Sequence, residues 1–240
     1  MHYKALATDY DGTIAHHGLV DNATVNALCS FKESGGKLML VTGRELSDLF
    51  NVFPEPQLFD RIVAENGALL YDPATKNHRE LTAPLCAEFP ERVRELGVKS
   101  LSVGHVIVAT QEVYLGLVEQ AIRDCELDAR IILNKGSLMV LPAGIDKAHG
   151  LLAACDELAL ARDSVVAVGD AENDIVLFKI CGYSAAVANA LPEVKAHADL
   201  VLGAGHGTGV RELIRLMLQD QIGPRLKQPD LKGFSTAKVQ

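Results

Sequence analysis

Short apolar runs alternate along this chain with longer segments whose apolar positions recur every three or four residues. The first run, Tyr3–Thr8, reads as a strand that ends on Asp9. A helix is predicted from Asn22 to Ser34, with Val25, Leu28 and Cys29 on one face and Gly35-Gly36 as its stop. Lys37–Val41 reads as a second strand, leading into Thr42-Gly43-Arg44 at the start of another helix. Arg61–Ala64 reads as a third strand, followed by a turn at Glu65-Asn66-Gly67. Strands that alternate with amphipathic helices predict a parallel sheet covered on both faces.

The rhythm then changes. Asp72–Pro84 is polar and proline-bearing, which suggests an exit from the first unit. Beyond it lie a predicted helix (Leu85–Leu96), a strand (Leu101–Ala109) and a second helix (Glu112–Cys125). Two short β runs, Arg130–Leu133 and Leu138–Leu141, are joined by the hairpin signal Asn134-Lys135-Gly136-Ser137. Together they make an α+β insert of about 60–65 residues, near the low end of domain sizes. After Pro142 the alternation returns, with a helix opening near Asp146-Lys147 and a strand at Val165–Val168 that ends on Gly169-Asp170. A helix over Glu172–Cys181, a strand at Ser184–Ala188, an apolar run at Asp199–Leu202 and a helix over Val210–Gln219 complete it. The expected organisation is a discontinuous α/β core (1–75 and 143–222), an α+β insert (76–142) and a polar tail (223–240) expected to be loosely ordered.

Composition narrows the functional classes. With 48% hydrophobic and 22% charged residues among 240, the chain is an ordinary globular sequence large enough to bury a core. A net charge of −8 argues against non-specific nucleic-acid binding, which needs a basic surface to neutralise phosphates. No stretch approaches the roughly 20 apolar residues that span a bilayer, so no membrane role is expected. The opening MHYKALATDYDGT carries charge where a signal peptide needs an apolar run. Five cysteines, odd in number and without a C-x-x-C pair, make a disulfide framework or a zinc site improbable. The expectation is a cytoplasmic protein. A homodimer is among the states the sequence permits.

Four polar clusters follow strands or open the helices after them. In Asp9-Tyr10-Asp11-Gly12-Thr13, residues i and i+2 of extended chain point to one side, so Asp9 and Asp11 project together above a strand's C-terminal end. In open α/β sheets that edge is where ligands bind. Gly12 permits a sharp turn with backbone N–H groups near an anion. The same residues also make an ordinary surface turn. Thr42-Gly43-Arg44 is either an anion site at a helix N-terminus or a plain cap. Lys147, just after the N-cap candidate Asp146, is a cation at the unfavourable end of a helix dipole. It is a solvated surface lysine or one held to face a bound anion. In Gly169-Asp170-Ala171-Glu172-Asn173-Asp174, Asp170 and Asp174 are one helical turn apart, and such hard oxygen ligands suit Mg2+. An acidic helix N-terminus is the simpler alternative. Their joint fall on one sheet edge decides for function, because carboxylates, Mg2+ and a lysine around an anion pocket are the equipment of phosphoryl transfer.

The series DYDGT, VTGR, DK and GDAEND resembles the haloacid dehalogenase superfamily of phosphatases over nearly the whole chain except the tail. Glu65-Asn66-Gly67-Ala68 resembles the ENGA segment of its Cof-like branch. The insert between Thr42 and Lys147 resembles a C2-type cap of the IIB subclass, which holds sugar phosphatases and archaeal-type phosphoglycolate phosphatases. The resemblance implies a Rossmann-like doubly wound core and a small phosphorylated metabolite as substrate. Carried over by position, it makes Asp9 the nucleophile, forming an aspartyl-phosphate, and Asp11 the general acid and base. Gly12, Thr42, Gly43, Arg44, Lys147 and Asn173 would serve the phosphoryl group or substrate, with Arg44 equally able to pair with an acid on its own helix. Mg2+ would be held by Asp9, the Asp11 carbonyl, Asp170 and Asp174. A phosphomutase, or a catalytically silent Mg2+- and anion-binding module, are the alternatives. His16 and His17 read as exposed loop histidines, His105 as a packed one, and Cys29 and Cys155 as small core residues.

Overall fold

Runs of small and branched apolar residues with no polar alternation call for strands buried on both faces. Ala5–Thr8 (β1) and Val165–Gly169 (β10) are such runs, and every residue in both is buried. A computed structural model of the chain describes residues 2–134 and 136–223. In chain order, β1 is followed by the helix α1 (Asn22–Glu33), β2 (Lys37–Val41), α2 (Leu46–Val52), β3 (Arg61–Ala64), β4 (Leu69–Asp72) and β5 (Asn77–Glu80). The insert contributes α3 (Glu88–Glu95), β6 (Ser102–Val103), β7 (Val108–Gln111), α4 (Leu115–Asp124), β8 (Ala129–Asn134) and β9 (Ser137–Pro142). The chain then adds α5 (Lys147–Glu157), β10, α6 (Ile175–Ile180), β11 (Tyr183–Ala186), α7 (Pro192–His197), β12 (Leu200–Val201) and α8 (His206–Leu218).

An eight-stranded sheet runs in the order β12-β11-β10-β1-β2-β3-β4-β5, parallel from β12 to β3 and antiparallel from β3 to β5. Successive strands lead away from β1 in one direction and return on its other side at β10. The C-terminal ends of β1 and β10 therefore flank the crevice at a topological switch point. The register Thr8↔Val168 sets those two ends level. Two of the helices are fixed at their starts by side chains that satisfy free N–H groups. Asp21 caps α1 by accepting from Thr24 N at 2.7 Å, and Asp146 caps α5 by accepting from His149 N at 3.0 Å. On α8, Val210, Leu213, Ile214 and Met217 form one buried stripe. The insert folds as a four-stranded antiparallel sheet, β6-β7-β9-β8, with α3 and α4 packed on one face through Phe89, Val93, Val118 and Ala121. A separate apolar cluster, including Ala68, Val106, Ile107, Met139 and Ile145, joins the two sheets.

Several expectations need revision. The polar segment after Asp72 does not leave the first unit. It turns back through an Asp72 carboxylate that accepts from Ala74 N, and Asn77–Glu80 pairs as an edge strand of the larger sheet. That sheet therefore runs to Glu80 rather than stopping at residue 75. The strand is exposed at every position, so it carries no apolar alternation to read. The run 101–109 is two strands separated by residues 104–107, which leaves His105 exposed, its ring tilted against that of His78 with centroids 4.4 Å apart. Helix α7 begins with Pro192 at its first turn and was not anticipated. The last helix starts at His206 rather than Val210, behind glycines that mask it. The tail beyond Gly223 lies outside the described residues.

Candidate active site

At the end of β1 the ladder continues for one residue, with Asp9 N donating to Val168 O at 3.1 Å. The chain then turns back on Tyr10, whose carbonyl accepts from Thr13, Ile14 and Ala15 N. Gly12 has φ +91°, in the left-handed region that favours glycine. Its carbonyl accepts from Asn189 Nδ2 at 2.8 Å and lies 3.1 Å from His206 Nδ1. The turn leaves Asp9 only 5% exposed at the head of the crevice.

Lys147 reaches the same point from the first turn of α5 and is 1% exposed. Its Nζ donates to Asp9 Oδ1 at 2.7 Å and to Asp174 Oδ1 at 2.6 Å. The other Asp174 oxygen accepts from the N–H groups of Asp170 and Ala171 at 2.9 and 3.1 Å, so both of its oxygens are committed. Asp170 Oδ1 accepts from Thr13 Oγ1 at 3.1 Å. Asp9, Asp170 and Asp174 each bring a carboxylate oxygen within 4.8 Å of the others, and all three are buried. Three carboxylates around one ammonium are short of positive charge, and this hard-oxygen set suits a divalent cation. Asn173 Oδ1, in the same loop, is buried and accepts no hydrogen bond, which leaves a further oxygen beside the cluster.

Burial raises the Asp9 carboxyl to about 7, opposed by the charge of Lys147 and reinforced by Asp174 and Asp170. Burial alone would pull the Lys147 ammonium down, but Asp174 and Asp9 outweigh it and hold its pKa well above the ordinary value. The sign for metal binding follows. Below about 7 the native Asp9 holds a proton that a cation bound there would have to displace, so affinity for a divalent cation would rise with pH and level off above that point. The metal-free fold loses stability as pH rises from the ordinary carboxylate range to about 7, because the native state keeps a proton there that the unfolded chain has released. Titration calorimetry in two buffers of different ionisation enthalpy is expected to show proton release on Mg2+ binding at pH 6 and little at pH 8.5. Equal release at both would contradict the assignment.

The remaining sequence candidates are distributed differently. Arg44 does not stand free for an anion. Its Nε and one terminal nitrogen donate to the two Asp11 oxygens at 2.6 and 2.8 Å, and the other terminal nitrogen pairs with Asp48. Thr42 is fully buried, and its hydroxyl accepts from Arg44 N at 3.1 Å. Asn173 Nδ2 donates to Asn66 Oδ1 at 2.9 Å rather than into the crevice. Asn66 in turn contacts Met139 Sδ of β9 at 2.9 Å. His16 is exposed, its ring between those of His17 and His206 at 4.1 and 4.3 Å. Cys155 is buried, and Cys29 is half-buried.

Between the two sheets lies a cleft of about 630 Å³. The larger sheet's side of it carries Asp9, Asp11, Gly43, Arg44 and Asp48. The insert faces them with Ser102, Ile107, Thr110, Asn134, Ser137 and Met139. Lys135, in the hairpin signal read from the sequence, lies outside the described residues. Sequence reasoning missed Thr13, Asn66, Asn189 and His206 as supports of the site. Thr13 stood inside a motif already singled out. Asn189 and His206 carry no local signal, since only the fold brings them to Gly12.

A family model described as haloacid dehalogenase-like hydrolase matches residues 6–113 and 99–214. The chain is 32% identical over 232 residues to "Phosphoglycolate phosphatase 2" of Saccharolobus solfataricus, covering 91% of this chain and 94% of that one. It is 29% identical to a "Phosphoglycolate phosphatase" of Methanothermobacter thermautotrophicus, covering 88% and 97%. Among solved structures, a haloacid dehalogenase-like hydrolase from Bacteroides thetaiotaomicron aligns with TM-score 0.76 at 20% identity, over 90% of this chain and 99% of that one. A HAD/COF-like hydrolase from Plasmodium vivax aligns with TM-score 0.76 at 20% identity, over 91% and 96%.

Proposed function

Since this chain belongs to the haloacid dehalogenase-like hydrolases, we propose that it is a Mg2+-dependent phosphatase of small phosphate monoesters, acting through an aspartyl-phosphate on Asp9. The observation that carries the reading is the buried Lys147 ammonium bridging Asp9, which lines the cleft, and Asp174, with Asp170 beside them. Asp9, Asp170 and the Asp11 carbonyl would hold the cation. Asp174, with both oxygens already engaged, braces it. The bound cation supplies the positive charge that lets a carboxylate approach a phosphate dianion.

In the first half-reaction an Asp9 oxygen attacks phosphorus as the P–O ester bond breaks, and Asp11 delivers a proton to the departing oxygen. In the second, water attacks the phosphorus of the aspartyl-phosphate and gives its proton to Asp11, which releases inorganic phosphate and restores Asp9. Lys147 offsets charge on the phosphoryl oxygens throughout. Arg44 donates to both Asp11 oxygens, an arrangement suited to the second half, in which Asp11 takes up the proton from water. Donation in the first half requires that pair to loosen, which frees the guanidinium for the substrate.

The names of the relatives favour phosphoglycolate as the substrate. The hydroxyls and carboxamide of Ser102, Thr110, Ser137 and Asn134, in a cleft with room beyond a two-carbon acid, favour a sugar phosphate. A panel containing phosphoglycolate, hexose and pentose phosphates and p-nitrophenyl phosphate is expected to release inorganic phosphate with Mg2+ and none after chelation. Release from no ester in the panel would sink the proposal.

A further inference from the structure

Glu65 is fully buried, and the chemistry proposed above does not use it. It sits just past the C-terminal end of β3, one strand beyond the β1–β2 pair, with φ +52°. Non-glycine residues adopt that conformation at a cost that the surroundings must repay. No ion pair reaches its carboxylate among the described residues. Three backbone N–H groups of the insert do instead. Oε1 accepts from His105 N at 2.9 Å, and Oε2 accepts from Val106 N at 2.9 Å and Ile107 N at 3.1 Å. Successive amides aimed at one carboxylate are an anion nest, which compensates a buried charge without a cation.

The fit is close on the insert side as well. A Cβ on Gly104 would lie 2.8 Å from the Glu65 carboxylate, so the loop approaches this far because residue 104 has no side chain. Around the nest, Ala68 packs with Val106, Ile107 and Met139 in the apolar cluster that joins the two sheets. The loop held by Glu65 runs directly into β7, and Ile107 and Thr110 line the cleft. The next residue, Asn66, touches Met139 of the cleft wall and Asn173 of the acidic loop. One turn of the core thus fixes both the insert's cleft-lining strand and the loop that carries Asp170 and Asp174.

We propose that Glu65 is a positioning residue that latches the insert over the active site through the 105–107 amides, so that it governs selection of the leaving group rather than the chemistry at phosphorus. The proposal rests on the phosphatase reading. In Glu65→Gln an NH2 group replaces one acceptor and faces N–H donors, so the nest loses its charge and part of its acceptance. Hydrogen exchange at residues 105–107 is expected to quicken. On the best large ester of the panel, kcat/KM is expected to fall roughly 10- to 100-fold, chiefly through KM, because the cleft wall loses its place. Acetyl phosphate, too small to reach that wall, is expected to be turned over nearly as in the wild type. Gly104→Ala, which presses a methyl group on the carboxylate from the other side, is expected to show the same split and serves if Glu65→Gln fails to fold. Unchanged exchange, or equal loss on both substrates, overturns the proposal. If the wild-type protein hydrolyses neither substrate, the phosphatase reading fails, and the exchange measurement still decides whether the latch exists.

Discussion

Asp9→Asn is expected to lower kcat by on the order of 10^4- to 10^6-fold, the size of loss that follows removal of a covalent nucleophile. A carboxamide neither attacks phosphorus at a useful rate nor carries the phosphoryl group to water. The loss is separable from misfolding. Asparagine is nearly isosteric with aspartate, and at pH 7 the native Asp9 carboxyl is already near its midpoint, raised to about 7 by burial. The unfolded chain releases that proton well below pH 7, so neutralising the residue already relieves the metal-free fold of a buried charge at pH 7 and does so equally at higher pH. Without metal, thermal midpoints followed by circular dichroism should lie nearest for the two proteins in the ordinary carboxylate range, where both carry a neutral group, and be higher for the variant at pH 7 and at pH 9. Phosphate release from the panel's best ester, with acid-quenched trapping of phosphoenzyme, measures the chemistry. A variant retaining a tenth of wild-type activity would exclude Asp9 as the nucleophile.

Lys147→Met is expected to have the second-largest effect, on activity and stability together. Methionine fills much the same space, but the ammonium that bridges Asp9 and Asp174 at 2.7 and 2.6 Å is gone. Activity should fall about 10^2- to 10^3-fold, as when one preorganised charge-stabilising group is deleted. Three buried carboxylates would then stand within 4.8 Å of one another without the ammonium that bridged two of them. Breaking a buried ion pair by removing one partner costs about 3–5 kcal/mol, which for a chain of this size lowers the melting temperature by on the order of 10 °C. The deficit has a definite pH dependence. Loss of Lys147 removes the charge that opposed the rise of the Asp9 pKa, so the variant's carboxyl titrates higher still. The variant should therefore lie nearest the wild type at low pH, where Asp9 is protonated, and fall away as pH rises. Mg2+ should raise the melting temperature of the variant more than that of the wild type, because it replaces the missing charge. Equal melting temperatures at pH 8 without metal would show that the bridge contributes nothing to the fold.

The contrast between these two substitutions and Glu65→Gln separates three layers of the site. On the proposed mechanism Asp9 would carry the bond-forming atom, Lys147 the charge balance, and Glu65 the placement of the insert. Each layer has its own readout: trapped intermediate, metal-dependent stability, and substrate-dependent KM.

What the sequence by itself determined was the alternation of strands and helices and the positions where strands end. Buried parallel strands are continuous apolar runs, so Lys37–Val41 and Arg61–Ala64 could be bounded to the residue. Because the chain leaves each strand at the same sheet edge, the polar residues that follow were bound to gather there. Asp9, Lys147, Asp170 and Asp174 do meet at that edge, although the third and fourth are more than 150 residues from the first. Strand Asn77–Glu80 was not legible because an exposed polar edge strand has no alternation. The break in 101–109 was hidden because what stops the strand there is a carboxylate from another part of the chain, Glu65. Only the tertiary structure decided how the polar groups divide their hydrogen bonds. It turned Arg44 onto Asp11 and Asp48, committed both oxygens of Asp174, and set Asn189 and His206 on the Gly12 carbonyl. Local sequence sets where a side chain leaves the backbone. Its partner is whichever group the fold brings within about 3 Å, and that distance is a property of the packed whole.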